Sequence, residues 1–530
     1  MIRDFSSLER GEFDVLVIGG GIYGAWTAYD AALRGLNVAI VEKSDWASGT
    51  SSASTKLIHG GLRYLEQIRL GLVRKSLQER KLLASLAPHR VTPQRFVVPL
   101  YHGSRPGALR LQAGLSLYDL IAGPHQPVAD HESLAGDEVL AACPFLRRDG
   151  LQGGFSYGDC RTDDARFTLE IVAGAALAGA AAVNYAEVVE LLLGGGRVHG
   201  AVVRDRLSSR SVEVKASVVV NACGAWAPEL SPRQAKPVPI RLTKGIHLVL
   251  PALETEHAAL LTTRCDGRVF FMIPWYGKTL VGTTDTDYTG DPEKIEVEPK
   301  DIDYLLSEAN RFLQDAAWDE SHVCGSFAGL RALRDDHNTK DAWLVTREWR
   351  LEETLERYLL SVGGKFTTAR LEAAQIVDRV LNILNRSAGG RPPTGTRPFP
   401  WSPAETFADW QLRSILDGLK CGFDEETARS MTHRYGTRTE RVVAGAVQDA
   451  ALSRRIVPDL PFSCAEIAYA AEQEMVVTLE DLVRRRIPLS ILHPLANDTL
   501  ERIAAIAAAG LGWSADEQTR QVRSLAGRTP

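Results

Sequence analysis

Residues 14–18, DVLVI, make a continuous apolar run of strand length, and the glycine-rich GGGIYG follows it. Apolar positions then return at helical spacing in Ile22, Trp26, Tyr29 and Leu33. This pattern predicts a strand, a glycine turn, a helix that stops near Gly35, and a second strand, NVAIVE, ending in Glu42. Farther along, VNYAEVVELLL, GAVVRD and VEVKASVVVNACG read as strands, and RVFFMIPW and TLVGTTD, separated by YGK, read as a β-rich pair. TTARLEAAQIVDRVLNIL reads as a helix. The run over residues 386–403 then holds five prolines and cannot continue it. Beyond, Ala-rich runs such as AEIAYAAEQEM and ERIAAIAAAG predict amphipathic helices.

A chain of 530 residues exceeds one ordinary core, so two or three domains are expected. Its 45% apolar and 24% charged residues have the balance of a soluble globular protein. The net charge of −5 argues against a nucleic-acid partner. No uncharged apolar stretch is long enough for a transmembrane helix, and MIRDFSSLERGEFD lacks the apolar region of a secretory signal. The seven cysteines are scattered with no CxxC pair, so neither a metal site nor a dithiol redox centre is expected. Buried, reduced thiols in a cytoplasmic protein are the simplest reading.

The first strand, turn and helix carry chemistry. Gly19 permits the tight turn, Gly21 lets a pyrophosphate approach the backbone, and Gly24 lets helix and strand pack closely. The helix N-terminus offers free N–H groups and a partial positive charge to phosphates. Glu42 stands where a carboxylate accepts hydrogen bonds from ribose hydroxyls, which disfavours NADP and leaves NAD and FAD open. Glu42 runs on into KSDWASGTSSASTKLIHGGLRYLE. The hydroxyls of Thr50, Ser51, Ser52 and Ser54 suit phosphate and ribitol oxygens. Gly60 and Gly61 suit backbone lying against a flat ring. Lys56 and His59 suit that ring's polar edge, and Arg63 would face whatever sits beside it. This mixture points to FAD.

Residues 14–66 closely resemble the FAD-dependent glycerol-3-phosphate dehydrogenases, through VIGGGIYGA and TSSASTKLIHGGLRYLE. The resemblance continues in DCRTDDARFTLE (159–170), VVVNACGAW (218–226), TKGIHLVL (243–250), VGTTDTDY (281–288), GLRAL (329–333), GGKFTTAR (363–370) and EMVVTLEDLVRRRIPL (474–489). It implies an α/β fold: a Rossmann-type FAD-binding domain of glutathione-reductase-like, D-amino-acid-oxidase-like form, an antiparallel-sheet substrate domain and an all-α C-terminal domain. The FAD domain is expected in pieces, about 12–90, 151–240 and 325–386, within an oxidoreductase region over 1–390. The substrate domain is expected over about 91–150 and 241–324, a linker over 391–403, and the helical domain, for docking or oligomerisation as in a homodimer, over 404–530.

The implied reaction is oxidation of sn-glycerol 3-phosphate to dihydroxyacetone phosphate, with electrons passing to a membrane quinone. A phosphate dianion needs fixed cations, and arginine's planar fork serves it best. The resemblance assigns Arg63, Arg331 and Lys365 to this cluster. His59 is the first candidate for the base and His247 the second, since a neutral imidazole can take the hydroxyl proton. Gly364, Lys365, Phe366 and Thr367 are expected at the flavin, before a helix whose positive end would stabilise the anion of reduced flavin. Asn221 to Gly224 are expected at the adenine side. Two departures from the family pattern stand near these positions: Ala332 where GLRPL is usual, and Cys223 and Ala225 where NATGPW is usual.

The stretch 63–90 carries seven basic residues against Glu66 and Glu79, interleaved with Leu65, Ile68, Leu72 and Leu86, and RLQAGLSLYDLIAG (110–123) is leucine-rich. It reads either as a solvated basic face or as a peripheral contact with the inner face of the cytoplasmic membrane. Three other readings stay open: an oxidase passing electrons to oxygen, an amine or amino-acid oxidase, and a flavin-bound redox sensor without turnover.

Overall fold

The computed structural model describes residues 1–315, 317–335 and 345–526. In it β1 (Phe13–Ile18) leads through the glycine turn into α1 (Ile22–Leu33), and the chain returns in β2 (Val38–Val41). The three are joined as the periodicity predicts, and Gly35 follows the helix with φ +76°. β1 lies in parallel between β2 and the strand Ser211–Asn221. The sheet continues to Ala181–Val183 beyond β2 and to Tyr358–Val362 and Arg350–Leu355 on the other side. Buried valines, leucines and isoleucines fill the central strands because helices cover one face and antiparallel strands carrying Val188, Val198, Val203 and Val214 cover the other. α1 packs against the helices Asp164–Leu177 and Ala369–Ile383, and its Ala25, Ala28 and Ala31 are buried. The strand Ser211–Asn221 also extends beyond the parallel core, where its first half pairs antiparallel with Arg197–Asp205, and that strand with Ala186–Gly194.

The second sheet has ten strands among the described residues. Near one end the strand Ile240–Pro251 pairs with the edge strand Gly325–Arg334 on one side and Lys278–Gly282 on the other. The Val269–Trp275 and Lys278–Gly282 hairpin is the β-rich pair seen in the sequence. The sheet is not wholly antiparallel: Ala258–Thr262 runs parallel to Thr92–Tyr101. The sequence-based division also needs correction. Leu151–Arg161 and Gly325–Arg334, assigned to the nucleotide pieces, belong to this second sheet. An apolar run shows that a strand is buried but not which sheet it joins; here the long antiparallel pairing of Thr92–Tyr101 with Leu151–Arg161 decides.

The proline-rich segment is docked rather than free. Phe399 packs edge-on against Trp26 and Phe167, and the Trp401 N–H donates to Glu170 at 2.9 Å. The C-terminal region is helical, from Phe407–Lys420 to Ala515–Leu525. Buried ion pairs hold it to the nucleotide domain: Arg166 with Glu474, and Asp45 with Arg485 and Arg486. The cysteines are free; Cys143, Cys160 and Cys464 are buried, whereas Cys223, Cys324 and Cys421 are half-buried and Cys265 is exposed. No helix among the described residues is long and apolar enough to cross a membrane.

Candidate active site

The turn after β1 is built by absence of side chains. A Cβ on Gly24 would fall 1.9 Å from the Gly19 carbonyl oxygen, so only glycine lets α1 sit this close to β1. Gly19 holds φ +109°, and its Cβ would meet the Ala222 carbonyl oxygen at 2.7 Å. Gly21 is the N-cap of α1 and supplies no side chain there. The Ser51 Oγ accepts from the Ile22 N–H at 2.8 Å, so the serine-rich segment reaches the helix end. The carboxylate of Glu42 accepts from the N–H groups of Gly20 and Ser44, at 2.7 and 2.8 Å, and burial raises its pKa. Nearby, Gly224 has φ +56° and open space where a side chain would stand, while the Asn221 amide turns inward to Ala227 and Tyr358. A helix end without a side chain, a buried carboxylate after β2 and an open glycine after Ser211–Asn221 fit a dinucleotide.

The hydroxyl-rich segment divides its work. Thr50 donates to the Leu330 carbonyl and Ser52 to that of Gly49. Ser54 and Lys56 both engage Asp164, and the Lys56 ammonium is buried 2.6 Å from that carboxylate, over the rings of Trp275 and Phe327. The Lys56 ammonium is therefore committed to an internal ion pair. The glycine pair admits side chains. A Cβ on Gly60 would fall 2.3 Å from the Tyr118 hydroxyl, and one on Gly61 would fall 2.5 Å from Tyr64 Cδ2 and 3.1 Å from Lys365 Nζ. The N–H of His59 donates to the Thr367 hydroxyl at 3.2 Å, tying the two motifs together. Phe366 packs its ring on Phe167. The helix after GGK begins with a 3-10 turn, Phe366–Thr368, before Ala369–Ile383.

Arg63, Arg331 and Lys365 converge. Arg63 and Lys365 both lie over the Tyr64 ring, with the guanidinium carbon 5.3 Å and the ammonium 4.9 Å from its centroid. Lys365 Nζ also donates to the Ser76 hydroxyl at 3.0 Å. Gly245 stands beside Arg331 because a Cβ there would lie 2.2 Å from its guanidinium. Arg331 reaches the Asp285 carboxylate at 3.2 Å and the Thr283 hydroxyl at 3.0 Å. A fourth cation joins: Arg347 pairs with the other oxygen of Asp285 at 2.7 Å and bonds Tyr64. Burial alone would raise the Tyr64 phenol, but Arg347, Arg63, Lys365 and Arg331 outweigh it and bring the pKa to about 7. Burial lowers Arg331 to about 10, where it still carries its charge at neutral pH. Burial, then Lys365, Arg63 and Arg347, holds the His59 pKa well below that of free imidazole. His247 is buried, stacked on Phe327 at 4.9 Å, with Nε2 3.0 Å from the Thr55 hydroxyl and, among the described residues, no partner for Nδ1. Burial, then Arg331 and Lys56, lowers its pKa too.

Sequence reasoning missed Tyr64, Arg347 and Asp285. Tyr64 and Asp285 stand inside quoted motifs, GGLRYLE and GTTDTDY, but neither spacing nor residue type sets them apart. Arg347 has no motif to mark it.

Residues 14–349 match the family described as FAD dependent oxidoreductase, and residues 395–518 match the C-terminal domain of alpha-glycerophosphate oxidase. A glycerol-3-phosphate dehydrogenase of Synechocystis is 34% identical over 98% of this chain and 97% of its own. The aerobic glycerol-3-phosphate dehydrogenase of Bacillus subtilis is 36% identical over 92% and 90%. The chain belongs to the FAD-dependent glycerol-3-phosphate dehydrogenases. A crystal structure of the Bacillus halodurans enzyme complexed with FAD superimposes with a TM-score of 0.80 at 31% identity, covering 98% of this chain and 95% of that one. Two glycine oxidases, at 21% and 20% identity, share the fold. The cofactor is FAD, and the Rossmann-type fold with its helical C-terminal domain is the family's.

Proposed function

We propose that this protein oxidises sn-glycerol 3-phosphate to dihydroxyacetone phosphate and passes the electrons to a membrane quinone. The observation that carries the substrate assignment is the ring of four cations, Arg63, Arg331, Arg347 and Lys365, around one buried tyrosine. One arginine suffices for a carboxylate, so this charge fits a phosphate dianion better than an amino acid. FAD, when bound, supplies the hydride acceptor at N5. Gly21 and the end of α1 are then placed for its pyrophosphate, and Glu42 for its ribose. Thr50, Ser51, Ser52 and Ser54, the backbone at Lys56, His59, Gly60 and Gly61, and the turn from Gly364 to Thr367 stand along the remainder. Gly224 flanks the adenine side.

The side chains of the cluster hold the phosphate, so that C2 of the substrate presents its hydrogen to the flavin. Neutral His59, beside the cluster, accepts the C2 hydroxyl proton as the hydride leaves; His247 is the second candidate. With its pKa depressed, the imidazole is unprotonated at neutral pH and so free to accept that proton.

Access to quinone is supported by the surface. The packed helices Leu70–Leu86 and Ala108–Ala122 leave Ile68, Leu70, Leu109, Leu117 and Leu120 exposed, among exposed Arg69, Arg74, Lys75, Arg105 and Arg110. Exposed apolar groups ringed by cations suit an anionic lipid surface on the inner face of a cytoplasmic membrane. Not all the basic residues counted in the sequence lie there: Arg80 pairs internally with Asp159 and Arg90 with Glu170, and Arg63 turns to the cluster. The acceptor is tested by comparing reduction of a quinone analogue with release of peroxide in air. Quinone reduction with little peroxide supports this reading; peroxide equal to substrate consumed would make the protein an oxidase.

A further inference from the structure

One buried pair near the site serves none of the roles above. Tyr23 stands in the first turn of α1 and Glu372 in the first turn of Ala369–Ile383, the two helices whose N-termini flank the proposed flavin position. The Tyr23 hydroxyl donates to the Glu372 carboxylate and accepts from the backbone N–H of Lys365 at 3.1 Å. It occupies the space beside Gly364, where a Cβ would fall 1.6 Å from the phenolic oxygen. Gly364 itself holds φ +95°, so its conformation and the tyrosine together leave room only for glycine. Glu372 is 4% exposed. Burial raises its carboxyl to about 7, opposed by the hydroxyls of Tyr23 and Thr368 and by Lys75 and Lys365. A carboxyl so placed needs its donors; Tyr23 also accepts from the Lys365 N–H, while Thr368 donates to the Lys365 carbonyl at 3.4 Å.

We propose that Tyr23 and Glu372 are positioning residues: they brace the Gly364–Lys365 turn against α1 and so fix the Lys365 ammonium in the dianion-binding cluster. The brace links the helix that receives the cofactor's pyrophosphate to the side chain that receives the substrate's phosphate. Glu372 holds the Tyr23 hydroxyl, the hydroxyl holds the Lys365 N–H, and the Lys365 side chain runs on to Ser76 and Tyr64. This inference rests on the phosphate-binding reading of the cluster, and the following test separates the two.

Inorganic phosphate is titrated into the oxidised, FAD-loaded protein, with binding read from the visible flavin absorbance. The wild type reports on the cluster itself, and Arg331→Ala should abolish its response if the cluster is the site. For the brace, Tyr23→Phe and Glu372→Leu should retain full FAD content and bind phosphate about 3- to 10-fold more weakly, the scale of one lost hydrogen bond. Glu372→Gln, whose amide oxygen still accepts from Tyr23, should stay within about 2-fold of wild type. In a Lys365→Met background, Tyr23→Phe should change phosphate affinity no further. Unchanged affinity in Tyr23→Phe, an equal loss in the Lys365→Met background, or loss of FAD without loss of phosphate affinity would each overturn the proposal.

Discussion

Arg486 grips Asp45 through two hydrogen bonds, of 2.7 and 2.8 Å, and Arg485 adds a third at 2.6 Å. Asp45 lies three residues beyond Glu42, in the turn that carries the proposed ribose carboxylate; both arginines come from the C-terminal helical region. The helical region thus holds the nucleotide turn from behind. Burial disfavours the Asp45 carboxylate, but Arg486 and Arg485 prevail and hold its pKa below the usual range. Removing one partner of a fully buried pair typically costs about 3–5 kcal/mol. Asp45→Ala should therefore lower the midpoint of thermal unfolding and speed loss of FAD on dilution. Because the folded-state pKa is depressed, this contribution is complete above the carboxyl's unfolded value and fades as pH falls through the folded one. Thermal midpoints across acidic pH should fall more steeply in wild type than in the variant.

Tyr64 predicts a pH dependence of substrate binding. Its phenol titrates near 7, so as pH rises it becomes an anion inside the cation ring. An anion there competes with the substrate's phosphate, so KM should rise above about pH 7. Tyr64→Phe cannot ionise, and its KM should stay flat over pH 7–9. Steady-state kinetics in that window check this.

Arg331→Ala should raise KM for glycerol 3-phosphate by roughly 10- to 150-fold, the scale of a lost charged hydrogen bond, with FAD content unchanged. Arg347→Ala should behave in the same direction, since both arginines share Asp285. Asp285→Asn should not mimic them: it frees two guanidinium groups, so KM should hold or fall. Flavin absorbance per protein, measured beside KM, separates substrate effects from cofactor effects.

Gly21→Val should give colourless protein. Its Cβ would already press on Ser51 Oγ at 3.1 Å, and the remaining methyls would occupy the phosphate's approach to α1. The flavin spectrum of the purified variant, with circular dichroism to confirm folding, is the check.

The sequence made the nucleotide end legible because each residue there acts locally. The spacing of Gly19, Gly21 and Gly24 with Glu42 specifies one strand–turn–helix unit, and β1, α1 and β2 follow it. Arg63, Arg331 and Lys365 were legible through motif resemblance, and the fold brings them to one tyrosine. The rest depended on partners remote in the chain. Lys56 reads as a free cation until Asp164 is seen beside it, and nothing local to Gly60 shows that Tyr118 fills the space where its side chain would stand. Arg80 and Arg90 read as surface charge until their carboxylates appear. Leu151–Arg161 and Gly325–Arg334 could not be assigned to a sheet from their own residues, because register is set by the neighbouring strand.

The central claim is that the cation ring presents a polyol phosphate to bound flavin. Mixing the FAD-loaded protein with glycerol 3-phosphate in the absence of oxygen and any other acceptor tests it directly. Rapid loss of the oxidised flavin's visible absorbance, saturating with substrate and strongly weakened in Arg331→Ala, is the predicted result. A flavin that stays oxidised with glycerol 3-phosphate, yet bleaches with an amino acid or amine, would contradict the account.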